Sequence, residues 1–118
     1  MKYKILTMCA GGNVRSVGLR YLLHYKYGHE VLAAGQDANS QETREMLYKW
    51  ADYIIVVSEE YKKFVPEEYH YKEIKGGIER RVFVYEVGPD RFGYAFHPEL
   101  LGLCEERIIE HGLFNRVE

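Results

Sequence analysis

Residues 5–19 read ILTMCAGGNVRSVGL, and the order of residue types in this stretch indicates the type of fold. An apolar run ends at Cys9, and a short segment with two glycines and an asparagine follows. Arg15 and Ser16 then stand where helix-forming residues begin. Short apolar runs favour strands, while glycine and asparagine favour turns. The stretch therefore predicts a strand, a tight loop and the start of a helix.

The rest of the sequence repeats this alternation of strand and helix. Asn39 with Glu42 three positions later is typical of a capping box at a helix start. Connections too long for hairpins indicate a parallel sheet with helices on both faces. We therefore expect a single three-layer α/β domain over residues 1–118. The predicted strands are residues 2–8, 30–35, 52–58 and 82–87; the predicted helices are 15–27, a segment within 36–51 and 98–111; residues 59–81 are predicted as a short helix followed by a loop or a second short helix.

Composition restricts the class of protein. The chain has 118 residues, with 16 basic and 18 acidic side chains and a formal net charge of −2. This balance gives no overall field that favours nucleic acid or an anionic membrane, so we expect neither as a partner. No stretch approaches the ~18 apolar residues of a membrane span, and the N-terminal apolar run is too short for a secretory signal. We therefore expect a cytoplasmic protein in which Cys9 and Cys104 are unpaired thiols.

The loop after the first strand has the composition of an anion site. Ligands gather at the carboxyl ends of parallel strands, where Cys9 lies, and backbone N–H groups of a loop and of a helix start bind tetrahedral anions. The guanidinium of Arg15 matches two phosphoryl oxygens, and Ser16 can donate a hydrogen bond to the sulfur. A cysteine in such surroundings is a thiolate at neutral pH and a nucleophile. The predicted phosphate-binding residues are Ala10, Gly11, Gly12, Asn13, Val14, Arg15 and Ser16.

Phosphoryl transfer also needs an acid for the leaving oxygen, and only a carboxylate beyond the carboxyl end of a strand can approach the sulfur. Asp37 follows the second strand and Asp90 follows the fourth, so both are eligible. Asp52 begins its strand at the opposite edge. Glu59 and Glu60 follow the third strand but fit the first turn of a helix, where acidic side chains are favoured. The residues alone leave Asp37 and Asp90 as candidates.

The pattern C-x5-R-S after a first strand resembles the signature of cysteine-dependent protein tyrosine phosphatases, and its position near the N-terminus resembles their low-molecular-weight class. Further likenesses are VLAAG at 31–35, WADYIIVVS at 50–58 and PDRFG at 89–93. The resemblance implies the four-stranded parallel sheet flanked by helices that is expected above. It also implies metal-free hydrolysis of protein phosphotyrosine through a thiophosphate on Cys9, with Arg15 binding the phosphoryl group. The third likeness implies that Asp90 is the general acid.

The loop departs from the family pattern in two ways. Gly12 and Asn13 stand one position later than in the family, and Val14 occupies the place of a second cysteine that can protect the nucleophile as a disulfide. The segment between the second and third strands is also shorter than in the family. The chain therefore resembles a divergent, shortened member that lacks this route of redox regulation.

Three other functions remain compatible with an anion-binding loop. An arsenate reductase of the same fold needs further cysteines to relay oxidation, and only Cys104, on the apolar face of the last helix, remains. A phosphocysteine carrier usually lacks the arginine, and a non-catalytic phosphate-binding module needs neither Cys9 nor Asp90. The five histidines have no metal-ligand spacing, so we expect no metal and no cofactor. The expected partners are a phosphorylated protein or small phosphomonoester, and inorganic phosphate or other oxyanions.

Overall fold

The computed structural model of the protein describes residues 2–115. Within them, a four-stranded sheet has the order β2-β1-β3-β6, and every neighbouring pair of its strands is parallel. The predicted parallel α/β architecture is confirmed. The strands are β1 (Lys4–Cys9), β2 (Glu30–Gly35), β3 (Tyr53–Val56), β4 (Tyr71–Ile74), β5 (Gly77–Arg80) and β6 (Val82–Val84); the helices are α1 (Arg15–Tyr21), α2 (Gln41–Trp50), α3 (Glu59–Lys62) and α4 (Pro98–His111), with a π-helical turn at Leu22–Lys26 and a 3-10 turn at Glu67–Tyr69.

The order of the strands places the end of β1 at a topological switch point. From β1 the chain passes to β2 on one side, and it then returns to β3 on the other side of β1. Cys9 is paired with Gly35 at the last position of both strands. Connections diverge at such a point and leave a crevice beyond the strand ends, so the end of β1 is where a ligand site is expected.

The side chains of the central strands alternate between two hydrophobic clusters, one on each face of the sheet. Ile5 and Ile55 belong to the cluster that is covered by α1 and α4, whereas Leu6 and Ile54 belong to the cluster covered by α2. All four are fully buried, and burial of one such side chain contributes about 1.5–3 kcal/mol. A sheet that is buried on both faces explains why β3 reads as a continuous apolar run.

Residues 59–81 differ from the prediction after the short helix α3. The chain makes a 3-10 turn and then an antiparallel hairpin of β4 and β5, where we expected a loop or a second helix. Ile74 pairs with Gly77 across a two-residue turn, in which Gly76 has φ +95°. Most side chains of the hairpin are exposed, so its strands lack the apolar alternation by which a strand is recognised.

Other element boundaries differ by smaller amounts. The predicted capping box is wrong: Ser40 caps α2 by accepting the N–H of Thr43 at 3.1 Å. Asn39 instead accepts the N–H of Gly35 through Oδ1 at 2.8 Å, and so holds the end of β2. The predicted helix 15–27 is divided between α1 and the π-helical turn, and β6 ends at Val84, before the predicted end.

The two ends of the described chain meet at a buried histidine. His29 accepts the backbone N–H of Tyr3 at Nδ1 (3.1 Å), so its proton resides on Nε2, which donates to the carbonyl of Phe114 at 2.9 Å. Burial lowers the pKa of His29, because the charged imidazolium would lose its hydration.

Among residues 2–115, no helix has the length and apolar character needed to cross a membrane.

Candidate active site

The sulfur of Cys9 is surrounded by hydrogen-bonding groups of the loop that follows β1. The backbone N–H of Gly12 donates to Sγ at 3.1 Å, and the hydroxyl oxygen of Ser16 lies 3.1 Å from Sγ. Ser16 is itself fully buried, and its carbonyl accepts the Thr7 hydroxyl at 2.8 Å. The Ser16 hydroxyl can donate to an ionised sulfur, so two groups of this loop can stabilise a thiolate.

The loop reaches this geometry because two glycine backbones touch. Gly12 has φ +73°, a conformation that L side chains rarely adopt, and a Cβ there would lie 2.6 Å from the nitrogen of Gly35. A Cβ on Gly35 would lie 2.6 Å from the carbonyl oxygen of Ala10. Glycine is therefore required on both sides of this contact, one glycine in the loop and the other at the end of β2.

Hydrogen bonds attach the same loop to the segment after β2. The N–H of Gln36 donates to the carbonyl of Cys9 at 2.8 Å, and the N–H of Asp37 donates to the carbonyl of Ala10 at 2.9 Å. These bonds extend the β1–β2 pairing past the strand ends. The first half of the loop is therefore held by hydrogen bonds from the segment after β2 as well as by bonds within the loop.

Arg15 begins α1 and is almost completely buried, with 5% of its surface exposed. Its Nη1 donates to the carbonyl of Gly88 at 3.3 Å, and its Nη2 donates to the hydroxyl of Tyr61 at 3.3 Å. Its Cζ lies 5.6 Å from the centre of the Tyr61 ring, within the range of a cation–π contact. The Nε of Arg15 has no hydrogen-bond partner among the described residues. This buried N–H is a donor that a bound anion can satisfy.

A cavity of about 360 Å³ opens beside Arg15, and we call it the Arg15 cavity. Ser58, at the start of α3, contributes a buried hydroxyl that also lacks a hydrogen-bond partner within residues 2–115. The cavity lies where the connections after β3 and β6 meet α1, on the same edge of the sheet as Cys9. Its lining residues are Arg15, Ser58, Glu59, Glu60, Glu86, Gly88 and Pro89.

The two candidate acids both lie at this edge of the sheet, and both side chains are exposed. Asp90 lies two residues after Gly88, and the carbonyl of Gly88 accepts a hydrogen bond from Arg15. Asp37 adjoins the loop through its backbone bond to Ala10. Asp52 lies at the opposite edge, as expected, where its Oδ2 accepts the N–H of Lys4 at 2.9 Å.

The structure brings together only part of the predicted phosphate-binding set. Gly12 and Ser16 lie next to the sulfur of Cys9, and Arg15 begins the helix at the same edge of the sheet, whereas Asn13 is exposed and Val14 packs against the core. Ala10 and Gly11 provide the backbone that touches the end of β2. Four of the residues that the prediction missed contact the loop or Arg15, or contribute a buried polar atom to the cavity: Gly35, Ser58, Tyr61 and Gly88.

Only one of these four had a signal in the sequence. Gly35 ends the VLAAG stretch, and a glycine at the end of a buried strand indicates close backbone approach. The contacts of Tyr61 and Gly88 with Arg15 join segments far apart in sequence, and no local pattern indicates them.

Comparison with models of known protein families finds no match for this chain, and comparison with curated proteins also finds none. The chemistry of the site follows from its parts. A buried sulfur faces two hydrogen-bonding groups, and a buried guanidinium at the same edge of the sheet has a donor without a partner among the described residues. Such a set can bind an oxyanion and attack its central atom.

Proposed function

We propose that this chain is a cysteine-dependent phosphatase that hydrolyses a phosphate monoester, with protein phosphotyrosine as the substrate class. We further propose that it is a divergent, short member of the low-molecular-weight protein tyrosine phosphatases. The observation that carries the proposal is the position of Cys9 Sγ, 3.1 Å from both Gly12 N and Ser16 Oγ, in a loop that leads directly to the buried cation of Arg15 at the start of α1.

The proposed reaction has two steps. The thiolate of Cys9 attacks phosphorus in line, the bond from phosphorus to the leaving oxygen breaks, and this oxygen takes a proton from Asp90. A water molecule then attacks the thiophosphate, gives its proton back to Asp90, and releases inorganic phosphate and the thiolate. Arg15 and the loop N–H groups stabilise the charge on the equatorial oxygens in both steps.

The second cysteine favours hydrolysis over arsenate reduction. Cys104 is fully buried in α4, and burial raises the pKa of its thiol to about 12, so it stays protonated at neutral pH. A relay of oxidation needs an accessible thiolate to attack an intermediate on Cys9. Cys104 does not fit that role, whereas hydrolysis by water needs no second thiol.

The direct test is steady release of p-nitrophenol from p-nitrophenyl phosphate in the presence of a metal chelator. We expect continuous turnover by the wild type, and loss of turnover in Cys9→Ser, because a serine hydroxyl stays protonated at pH 7. Cys104→Ala is the matched control and keeps its turnover. Phosphate should still raise the melting temperature of Cys9→Ser, since the loop that binds the anion is unchanged.

Two of the alternative functions, the phosphocysteine carrier and the phosphate-binding module, give different results in this assay. A phosphocysteine carrier releases at most one equivalent of phenol and then stops, and a phosphate-binding module releases none. Activity of Cys9→Ser near that of the wild type would contradict covalent catalysis by Cys9.

A further inference from the structure

The charges around the Arg15 cavity indicate what else a substrate must carry. Three carboxylates, those of Glu59, Glu60 and Glu86, line the cavity together with the single guanidinium of Arg15. All three side chains are exposed at its opening. Two of the five N–H donors of the guanidinium are already engaged by Gly88 and Tyr61. The opening is therefore acidic, although the buried cation beneath it is suited to an anion.

The carboxylates at this opening are largely without counterions. Glu59 has Lys62 at 4.0 Å, the limit of an ion pair. Within residues 2–115, no ion pair involves Glu60 or Glu86. In the same part of the chain, no three acidic, cysteine or histidine side chains converge as metal ligands do. The carboxylates are thus spaced to meet separate cationic groups and not one metal ion.

Two residues that line the cavity each carry a buried polar atom without a hydrogen-bond partner in the described part of the chain. Arg15 Nε and Ser58 Oγ are both buried, and neither has a hydrogen-bond partner among the described residues. Both can donate, and a buried donor without an acceptor is destabilising. A fitting ligand offers oxygen acceptors at depth and cationic donors at the opening. A peptide chain next to a phosphorylated residue has both, namely carbonyl and phosphoryl oxygens and the side chains of lysine or arginine.

We infer that the Arg15 cavity binds the peptide that flanks the phosphorylated residue, and that the substrate is a phosphopeptide with lysine or arginine beside that residue. This inference rests on the proposed phosphatase function and adds a substrate preference to it. Acidic flanking residues are disfavoured, because they would meet Glu60 and Glu86 across the opening. The preference resides in the opening, whereas Cys9 and Arg15 act on the phosphoryl group itself.

The test measures binding, so that it does not depend on turnover. Two phosphotyrosyl peptides of equal length, one flanked by arginine and one by glutamate, are titrated by fluorescence anisotropy against the Cys9→Ser variant at low salt. We expect the arginine peptide to bind about 3- to 10-fold more tightly, since each exposed charge pair contributes little alone. The preference should decrease between 0.05 and 1 M salt, where the screening length falls to about 3 Å.

Variants at the opening identify the groups responsible. In the Cys9→Ser background, the double change Glu60→Gln with Glu86→Gln should reduce the preference to less than about twofold. Glu73→Gln, an exposed carboxylate on β4 outside the cavity, is the matched control and should keep it. Equal binding of the two peptides, or the same preference after the double change, would overturn the inference.

Two further measurements separate this inference from the proposed function. If the unphosphorylated arginine peptide binds as tightly as the phosphorylated one, the opening is a general acidic surface, and the inference is overturned. If the wild type does not hydrolyse p-nitrophenyl phosphate but the charge preference holds, the phosphatase proposal fails while the binding site stands. If hydrolysis occurs without the preference, the phosphatase proposal stands and the inference fails.

Discussion

Replacing Gly35 with alanine tests whether the end of β2 positions the proposed anion-binding loop. The added methyl group would lie 2.6 Å from the carbonyl oxygen of Ala10 and the carbonyl carbon of Gly11, and 2.7 Å from the nitrogen of Gly12. All three are backbone atoms, so no flexible side chain can move aside. Gly35 does not have a positive φ, which means that the effect of the substitution is steric and not conformational.

The size of the displacement sets the expected losses. Ordinary contact begins at 3.4 Å, so the backbones must separate by about 0.8 Å, the difference between 3.4 and 2.6 Å. Forcing an extra methyl group into a packed site costs about 1–3 kcal/mol of unfolding free energy. For a chain of this length, the loss lowers the melting temperature by about 4–12 °C. A misplacement of about 1 Å at reacting groups can cost about 10²-fold in rate.

The assay compares turnover of p-nitrophenyl phosphate with the melting temperature, with and without phosphate. We expect Gly35→Ala to lose about 10²-fold in turnover and most of the phosphate-induced rise in melting temperature. Gly102→Ala is the matched control: it lies within α4 with no atom near its Cβ position. It should add about 0.5–1 kcal/mol of stability and leave turnover unchanged. Gly35→Ala with wild-type turnover and a full phosphate response would refute the role of this contact.

Three other perturbations test the site and the fold. Arg15→Lys should lower kcat/KM about 10²- to 10³-fold, because the point charge of an ammonium group cannot replace the two parallel donors of a planar guanidinium. An unchanged rate and an unchanged phosphate affinity would contradict the proposal that Arg15 binds the phosphoryl group. Asp90→Asn should lower turnover about 10²- to 10⁴-fold for esters of basic leaving groups and much less for esters of acidic phenols. Asp37→Asn should leave the turnover of both kinds of ester unchanged. The reverse pattern would assign the general acid to Asp37. Burial lowers the pKa of His29 in the folded protein, so the unfolded chain binds a proton at this residue more readily. Neutral His29 therefore favours the folded state above about pH 6.5, and this contribution to the free energy of unfolding is lost as pH falls through the folded-state pKa. Urea unfolding between pH 8 and 5 should show this decrease in the wild type and a shallower one in His29→Gln, and equal slopes would exclude His29 as its cause.

The sequence predicts the sheet well because its central strands, β1 and β3, are buried. The residues of β3 are all buried, and a continuous apolar run bounded by polar residues is sufficient to recognise such a strand. Pro98 stands at the start of α4, where proline is favoured, and Gly112 ends the helix with φ +68°. These features depend on local rules that act within a few residues.

The hairpin of β4 and β5 was missed for the opposite reason. Tyr71, Ile74 and Ile78 are exposed, so no buried face imposes a period of two on this segment. Its two-residue turn, Lys75-Gly76, is not one of the pairs, such as Asn-Gly or Asp-Gly, that mark a hairpin in a sequence. In the candidate site, the contact between Cys9 and Ser16 is predictable because one short loop joins the end of β1 to the start of α1. Tyr61 was not, because tertiary packing alone brings it to the guanidinium.

The bonds from Arg15 to Gly88 and Tyr61 have a consequence for the thermodynamics of anion binding. A free arginine side chain loses about 1.5–2 kcal/mol of conformational entropy when it is ordered. Here the guanidinium is buried, and it donates hydrogen bonds to Gly88, after β6, and to Tyr61, in α3. Its rotamer freedom is lost when the chain folds, and an arriving oxyanion does not have to order it. At the proposed anion site, affinity for a small anion is thereby increased while folding stability is reduced, and the burial of one arginine links the two quantities.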